Sequence, residues 1–193
     1  MVALTKERLK IVRDNKPQVK ISNGKPQILT PENIAKVMQG ELTWAQIHEI
    51  TMEQAYGIAQ VGYQLFMQGK YQDAQGIFEG LVALNPYDGY FHSVLGSIFA
   101  RSGQHEKAIQ EYSVAANLEP SDAQVYVNRA ELLLKKGAFK EALSDLKQAV
   151  STDSSGKNPT TVRARGLASA TVKLLEEVLQ SKQQAAAPST KKK

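Results

Sequence analysis

"LFMQGKYQDA" runs from Leu65 to Ala74, and its skeleton returns as "IFARSGQHEKA" from Ile98 to Ala108 and "LLLKKGAFKEA" from Leu132 to Ala142. Gly69, Gly103 and Gly137 mark the three copies and stand 34 residues apart. A ring follows each glycine by two positions (Tyr71, His105, Phe139), and an alanine by five (Ala74, Ala108, Ala142). A period this regular reports stacked units, none of which can bury its apolar face alone. Each unit reads as helix, turn, helix, with the glycine ending the first helix in the left-handed conformation. Pro86 and Pro120 close the first two units, again 34 apart; Ser154 stands in that place in the third, so the array is expected to end there.

The spacing matches the tetratricopeptide repeat. Counted from Ala55, Gly89 and Ala123, position 8 is small (Gly62, Gly96, Ala130), position 20 is alanine, and position 24 is bulky (Phe78, Tyr112, Leu146). Small residues let the two helices of a pair approach, and the large one fills the space between pairs. Arg129 departs from this pattern, standing where position 7 is usually apolar. The predicted fold is therefore all-α, a solenoid of three helix pairs over 55–88, 89–122 and 123–154.

Ahead of the repeats, residues 1–29 read as a mobile basic arm with a short helix from Leu4 to Arg13. In "LTPENIAKVMQG", Thr30 is a candidate N-cap, Pro31 fits the first helical position and Gly40 the stop. Thr43 with Gln46 and Thr51 with Gln54 form two capping-box patterns, the second opening a long helix from Met52 to Gln68. The helix Pro31–Gln39, with Trp44 and Ile47, is expected to cover one end of the array. After "SSGKNPTT", Asn158 caps and Pro159 opens a helix within 155–181 that covers the other end through Val162, Leu167, Val172, Leu174, Leu175, Val178 and Leu179. Residues 182–193 are expected to form a disordered Lys-rich tail.

Composition narrows the function. The 193 residues include no cysteine, which excludes disulfides, thiolate metal sites and cysteine nucleophiles. No apolar run approaches the roughly 20 residues of a membrane span, and the charged start lacks the apolar core of a secretory signal. A soluble protein of a reducing compartment is expected. The net charge of +5 is unevenly distributed. Residues 1–29 carry seven basic and two acidic side chains, and 151–193 carry eight and three. The core, 30–150, has nine basic against fourteen acidic, so the folded part repels phosphate and the basic ends read as solvated flanks.

Little points to catalysis. His48, His92 and His105 are scattered with no partner at metal-ligand spacing, and no phosphate loop or nucleophile elbow is present. No enzyme, metal or cofactor is expected. The remaining chemistry is recognition on the inner face of the array, lined by positions 2, 5, 9 and 12 of each first helix. These are Tyr56, Ala59, Tyr63 and Phe66; then Tyr90, Ser93, Ser97 and Ala100; then Gln124, Val127, Glu131 and Leu134. Ile58, Val61, Leu65, Val94, Leu95, Ile98 and Phe99 are assigned to packing. Rings beside small residues suit an extended apolar peptide, though the same rings can serve to cover the N-terminal helix. Ala59, Tyr63, Ser93 and Ser97 stand where a carboxylate clamp would need Lys and Asn, which argues against that mode.

Residues 40 to 150 resemble the class II chaperones of bacterial type III secretion, the SycD/LcrH type that escorts hydrophobic translocators. The likeness lies in "QGKYQDAQGIFEGLVALNPYDGYFHSVLG", "GQHEKAIQEYSVAA" and "RAELLLKKGAFKEAL", above all the Tyr87–Gly96 joint. The resemblance implies a cytoplasmic bacterial protein that holds an extended segment of a translocator in its groove without ATP. It implies pocket residues Tyr63, Phe66, Tyr71, Gly80, Leu84 and Tyr112, and a weak homodimer through 31–66. It implies no nucleic-acid partner and no stable membrane association. A scaffold joining folded partners is the competing reading. A third has the basic ends bind nucleic acid or an anionic membrane surface.

Overall fold

The computed structural model describes residues 31–153 and 155–186. The arm at 1–29 with its expected helix from Leu4 to Arg13, the Thr30 cap, Ser154 and residues 187–193 lie outside them. Among the described residues the chain is entirely helical, in two compact units, one up to Pro120 and one from Ser121.

The first unit begins with α1 (Pro31–Gln39), which stops at Gly40 with φ +78°. The Tyr87 hydroxyl donates to the Gly40 carbonyl at 3.4 Å. Both expected capping boxes form. Thr43 Oγ1 accepts from the Gln46 amide while Gln46 Oε1 accepts from the Thr43 amide, opening α2 (Trp44–Ile47). Thr51 and Gln54 do the same for α3 (Met52–Met67). Each box satisfies amides that a helix start leaves without partners. Ala45 and Ile47 of α2 are buried, whereas Ile34 and Met38 of α1 are exposed at 39% and 74%.

Two helix pairs follow, α3 with α4 (Tyr71–Leu84) and α5 (Gly89–Arg101) with α6 (His105–Leu118). Their turns share one hydrogen-bond pattern. The Gly69 amide donates to Phe66 O and the Lys70 amide to Leu65 O; Gly103 and Gln104 repeat this on Ala100 and Phe99. Both glycines are left-handed, at φ +78° and +80°. This double bond needs a positive φ at its centre, which costs a side chain with a Cβ about 1–2 kcal/mol. Close approach fixes the pairs further. A Cβ on Gly62 would lie 2.8 Å from Ile77 and 2.9 Å from Phe78, and one on Gly96 would lie 2.9 Å from the Tyr112 ring. Phe78 and Tyr112 are accordingly buried to 0% and 2% exposure.

The second unit comprises α7 (Ala123–Lys135), α8 (Phe139–Ser151) and α9 (Pro159–Ala186). Gly137, at φ +79°, makes the same turn, its amide and that of Ala138 donating to Leu134 and Leu133. Arg129, the departure from the repeat pattern, meets Asp145 of α8 in a two-pronged pair, Nε to Oδ2 at 2.7 Å and Nη2 to Oδ1 at 2.6 Å. The Asp153 carboxylate organises the approach to α9. It accepts from Ser155 Oγ at 2.6 Å, from the Asn158 amide at 2.9 Å and from Thr161 Oγ1 at 2.9 Å, and these donors hold its pKa far below the usual carboxylate range.

Asn158 Oδ1 accepts from the Thr160 amide at 2.8 Å, the expected cap. The buried stripe of α9, however, is Thr161, Ala164 and Thr171. Of the apolar residues expected to form this cover, Leu167 and Leu175 are half-buried, while Val162, Val172, Leu174, Val178 and Leu179 are exposed. Ala164 stands 34 residues after Ala130, so α9 repeats the position-8 contact, and close contact selects small residues. The helix also runs to Ala186, past the expected end near Ser181. Gln183 to Ala187 favour helix, and the first breaker is Pro188.

Two substitutions of the same kind have opposite expected effects. Gly103→Ala lowers unfolding free energy by about 1 kcal/mol because its φ is positive. Gly76→Ala, inside α4 with open space around it, raises it by about 0.5–1 kcal/mol. Urea midpoints measure both. Asp145→Ala, which leaves the Arg129 guanidinium without its carboxylate, lowers stability by about 3 kcal/mol in the same assay.

Candidate functional site

The first unit gathers aromatic side chains on one flank of α3 and the helices beside it. α3 buries only Ala55, Ala59 and Gly62. Tyr56 and Tyr63, seven residues apart and hence on one side of the helix, stay exposed at 44% and 43%. Two ring groups result. Tyr63 and Phe66 have centroids 6.0 Å apart, and Phe66 and Tyr71 5.9 Å. Tyr56 lies 5.9 Å from Tyr90 and 5.4 Å from Phe91, while Phe78 meets Tyr90 edge-on at 6.4 Å.

Hydrogen bonds fix part of this surface. The Tyr56 hydroxyl donates to Asp88 Oδ2 at 2.8 Å, and Asp88 Oδ1 accepts from the Phe91 amide at 3.2 Å. One carboxylate thus caps α5 and anchors a ring of α3. Burial, then the Asp88 carboxylate, pushes the Tyr56 hydroxyl far above the ordinary phenol range. Tyr90 is raised too, first by burial, then by Tyr63 and Asp88. Arg101 Nε donates to the Tyr71 hydroxyl at 3.4 Å. Ser97 Oγ donates to the Ser93 carbonyl at 3.0 Å, so the Tyr112 hydroxyl, also 3.0 Å away, serves as donor to Ser97. Behind them His92 is buried, its Nδ1 at 2.6 Å from Glu111 Oε2 and its Nε2 at 3.0 Å from the Pro86 carbonyl, tying the 85–88 turn to α6.

The predicted lining residues therefore divide. Tyr56, Tyr63, Phe66, Tyr71 and Tyr90 come together as linked rings, with Ser93 and Ser97 half-buried on α5. Ala59, Tyr112 and Val127 do not line a surface: their exposures are 1%, 2% and 0%. Ala59 belongs to the buried stripe of α3, and Tyr112 is held against Gly96. Gly80 and Leu84 follow Tyr71 by nine and thirteen residues, which turns them to the far side of α4, about half a turn away. In the second unit Glu131 pairs with Arg163 of α9, and Gln124 accepts from Thr160 at 3.1 Å while donating to Asn128 at 2.6 Å. This face of α7 is occupied by the chain's own last helix.

Two packing assignments are also corrected. Ile58 and Val61 are exposed at 46% and 53%, because nothing described packs on that side of the first repeat. Asp88 is the residue that reading by helical phase missed. Its signal was present: Asp88 and Asp122 stand 34 apart, each directly before a helix, where aspartate is a preferred cap.

Comparison with known proteins bears on what such a surface serves. Tetratricopeptide-repeat models match residues 55–88 and 123–155, and a TPR repeat model matches 96–137. The low calcium response locus protein H of Yersinia pestis is 36% identical over 112 residues, 56% of this chain and 65% of that protein. The chain is a tetratricopeptide-repeat protein similar to the LcrH and SycD chaperones. The structure of the Yersinia enterocolitica type III secretion translocator chaperone SycD matches with TM-score 0.63 and 28% identity, covering 67% of this chain and 98% of that one. SycD in complex with a peptide of the translocator YopD matches with TM-score 0.56 and 28% identity, over 69% and 98%. The chain spans about two thirds of the curated relative's length. Among the described residues no helix is long and apolar enough to cross a membrane.

Tyr56→Phe is expected to lower stability by about 1.5 kcal/mol, the loss of a bond to a charged acceptor. A phenol whose folded pKa is raised contributes stability that is present below its unfolded value near 10 and lost as pH rises beyond it. The fall in stability above pH ~10 should therefore be shallower in Tyr56→Phe than in the unsubstituted chain, as read by urea unfolding at stepped pH.

Proposed function

We propose that this protein is a cytoplasmic chaperone of bacterial type III secretion that holds an extended segment of a hydrophobic translocator and keeps it soluble until export. The observation that carries the reading is the linked ring surface of α3, α4 and α5, in a fold similar to that of SycD, whose complex contains a translocator peptide. Exposed tyrosine and phenylalanine rings grip apolar side chains, and phenol hydroxyls reach a peptide backbone. The Tyr63 and Tyr90 hydroxyls have no hydrogen-bond partner among the described residues and are free for that role.

The activity is passive, without catalysis or ATP. A client segment bound to the ring surface is withdrawn from aggregation and from unscheduled membrane insertion, and the soluble state gains population by mass action. A few aromatic contacts dominate such affinity. Tyr56, Tyr63, Phe66, Tyr71 and Tyr90 are the proposed contacts, with Ser93 and Ser97 at the edge.

Self-association through 31–66 is a second part of the proposal. Ile34 and Met38 on α1 and Ile58 and Val61 on α3 are exposed within that stretch, apolar surface that a second copy would cover.

Co-expression with a hydrophobic translocator, followed by purification on a tag carried by this chain, tests the main reading. The translocator is expected to copurify with the unsubstituted chain and to be lost with Tyr63→Ala/Phe66→Ala, whose helicity by circular dichroism stays unchanged. Copurification that persists in a folded double variant overturns the assignment of the site. For self-association, Val61→Asp should shift the sedimentation profile at high micromolar concentration towards monomer.

A further inference from the structure

Residues 16–29 read "KPQVKISNGKPQIL", with Lys-Pro-Gln followed by a β-branched residue twice, nine positions apart. Pro17 and Pro26 disfavour helix and favour an extended backbone. Val19, Ile21, Ile28 and Leu29 supply apolar side chains, and Lys16, Lys20 and Lys25 are the only charges. The first unit is the opposite in charge: residues 31–120 contain ten acidic and four basic side chains. The segment thus has the chemistry the ring surface accepts, together with a charge that draws it to this unit.

Its attachment point is also suitable. The segment leads directly into α1, nine residues long and so about 13 Å. The far end of α1 is held where the Tyr87 hydroxyl meets the Gly40 carbonyl. Tyr87 adjoins Asp88, the anchor of Tyr56 at one end of the ring surface. Fourteen extended residues reach up to about 46 Å, ample for a surface beginning beside that turn.

We propose that Lys16–Leu29 of the same chain occupies the aromatic surface of the first unit in cis when no client is bound. This rests on the reading of that surface as the peptide site. The segment is an internal competitor: it covers exposed rings in the free protein and must be displaced by the client. A tethered segment acts at an effective concentration near ~1 mM, so one with an intrinsic dissociation constant of ~100 µM weakens a competing peptide about tenfold. Weak intrinsic affinity therefore suffices to shield the surface, and a tight client still displaces it.

The test uses the full chain and, as probe, a fluorescein-labelled synthetic peptide of residues 16–29, followed by anisotropy. In the segment variant Val19→Ser/Ile21→Ser/Ile28→Ser/Leu29→Ser, the probe is expected to bind about tenfold more tightly than to the unsubstituted chain. Adding Tyr63→Ala to that variant should abolish the gain. Equal affinities for the two chains, no probe binding to the segment variant, or binding untouched by Tyr63→Ala each overturn the proposal. So does a ratio that collapses on dilution, which would put the segment on a neighbouring copy. The client reading is judged separately by copurification. A translocator retained while the probe results fail leaves that reading intact and removes only the internal competitor.

Discussion

Helices come close only where one of them has no side chain in the way, and this constraint shapes the molecule. Gly62 admits Ile77 and Phe78, and Gly96 admits the Tyr112 ring. Ala130 and Ala164 continue the series at the same spacing, both fully buried. A helix that packs through such small residues buries a narrow stripe, leaving two wide flanks. On α3 one flank carries Tyr56 and Tyr63 and the other Ile58 and Val61, and both are exposed. The ring surface is therefore a by-product of close packing: large side chains excluded from the contact have nowhere to go but its edges.

The ring surface is also partly set in advance. Asp88 accepts from Tyr56 and from the first turn of α5, so a phenol on one helix pair is locked to the start of the next. His92 holds the preceding Pro86 carbonyl against α6. A ligand arriving at Tyr56 meets a ring already oriented, and less conformational freedom is lost on binding.

Local features were legible in the sequence, and shared surfaces were less so. The three turn glycines, both capping boxes, the Gly40 stop and the Asn158 cap involve partners within a few residues, and each formed as read. Membership of the ring surface depends instead on how far each position lies from the buried stripe. Position 5 is only about 60° from position 8, so Ala59 and Val127 sink, whereas positions 2 and 9 lie about 100° or more away and leave Tyr56 and Tyr63 outside. Position 7 shows what context adds. Leu95 is buried in the second repeat, while Val61, with no helix pair described before it, is exposed. Helical phase alone does not distinguish them. Nor did it reveal that Glu131 and Gln124 are engaged by α9, because that depends on where a helix 36 residues further along is seated.

The Arg129–Asp145 pair has a consequence for how the chain sorts its own helices. Three near-copies of one helix pair offer many wrong matches, since α7 resembles α5 and α8 resembles α6. An arginine at position 7 of α7 finds a carboxylate on α8 at 2.6 Å. In the matching place on α6, 34 residues earlier, stands Glu111, which is engaged by His92. Each first helix thus carries its own polar half of a bond that its mate completes, and an exchanged mate leaves a buried charge alone. The two bonds act as a key against shuffling among repeats during folding.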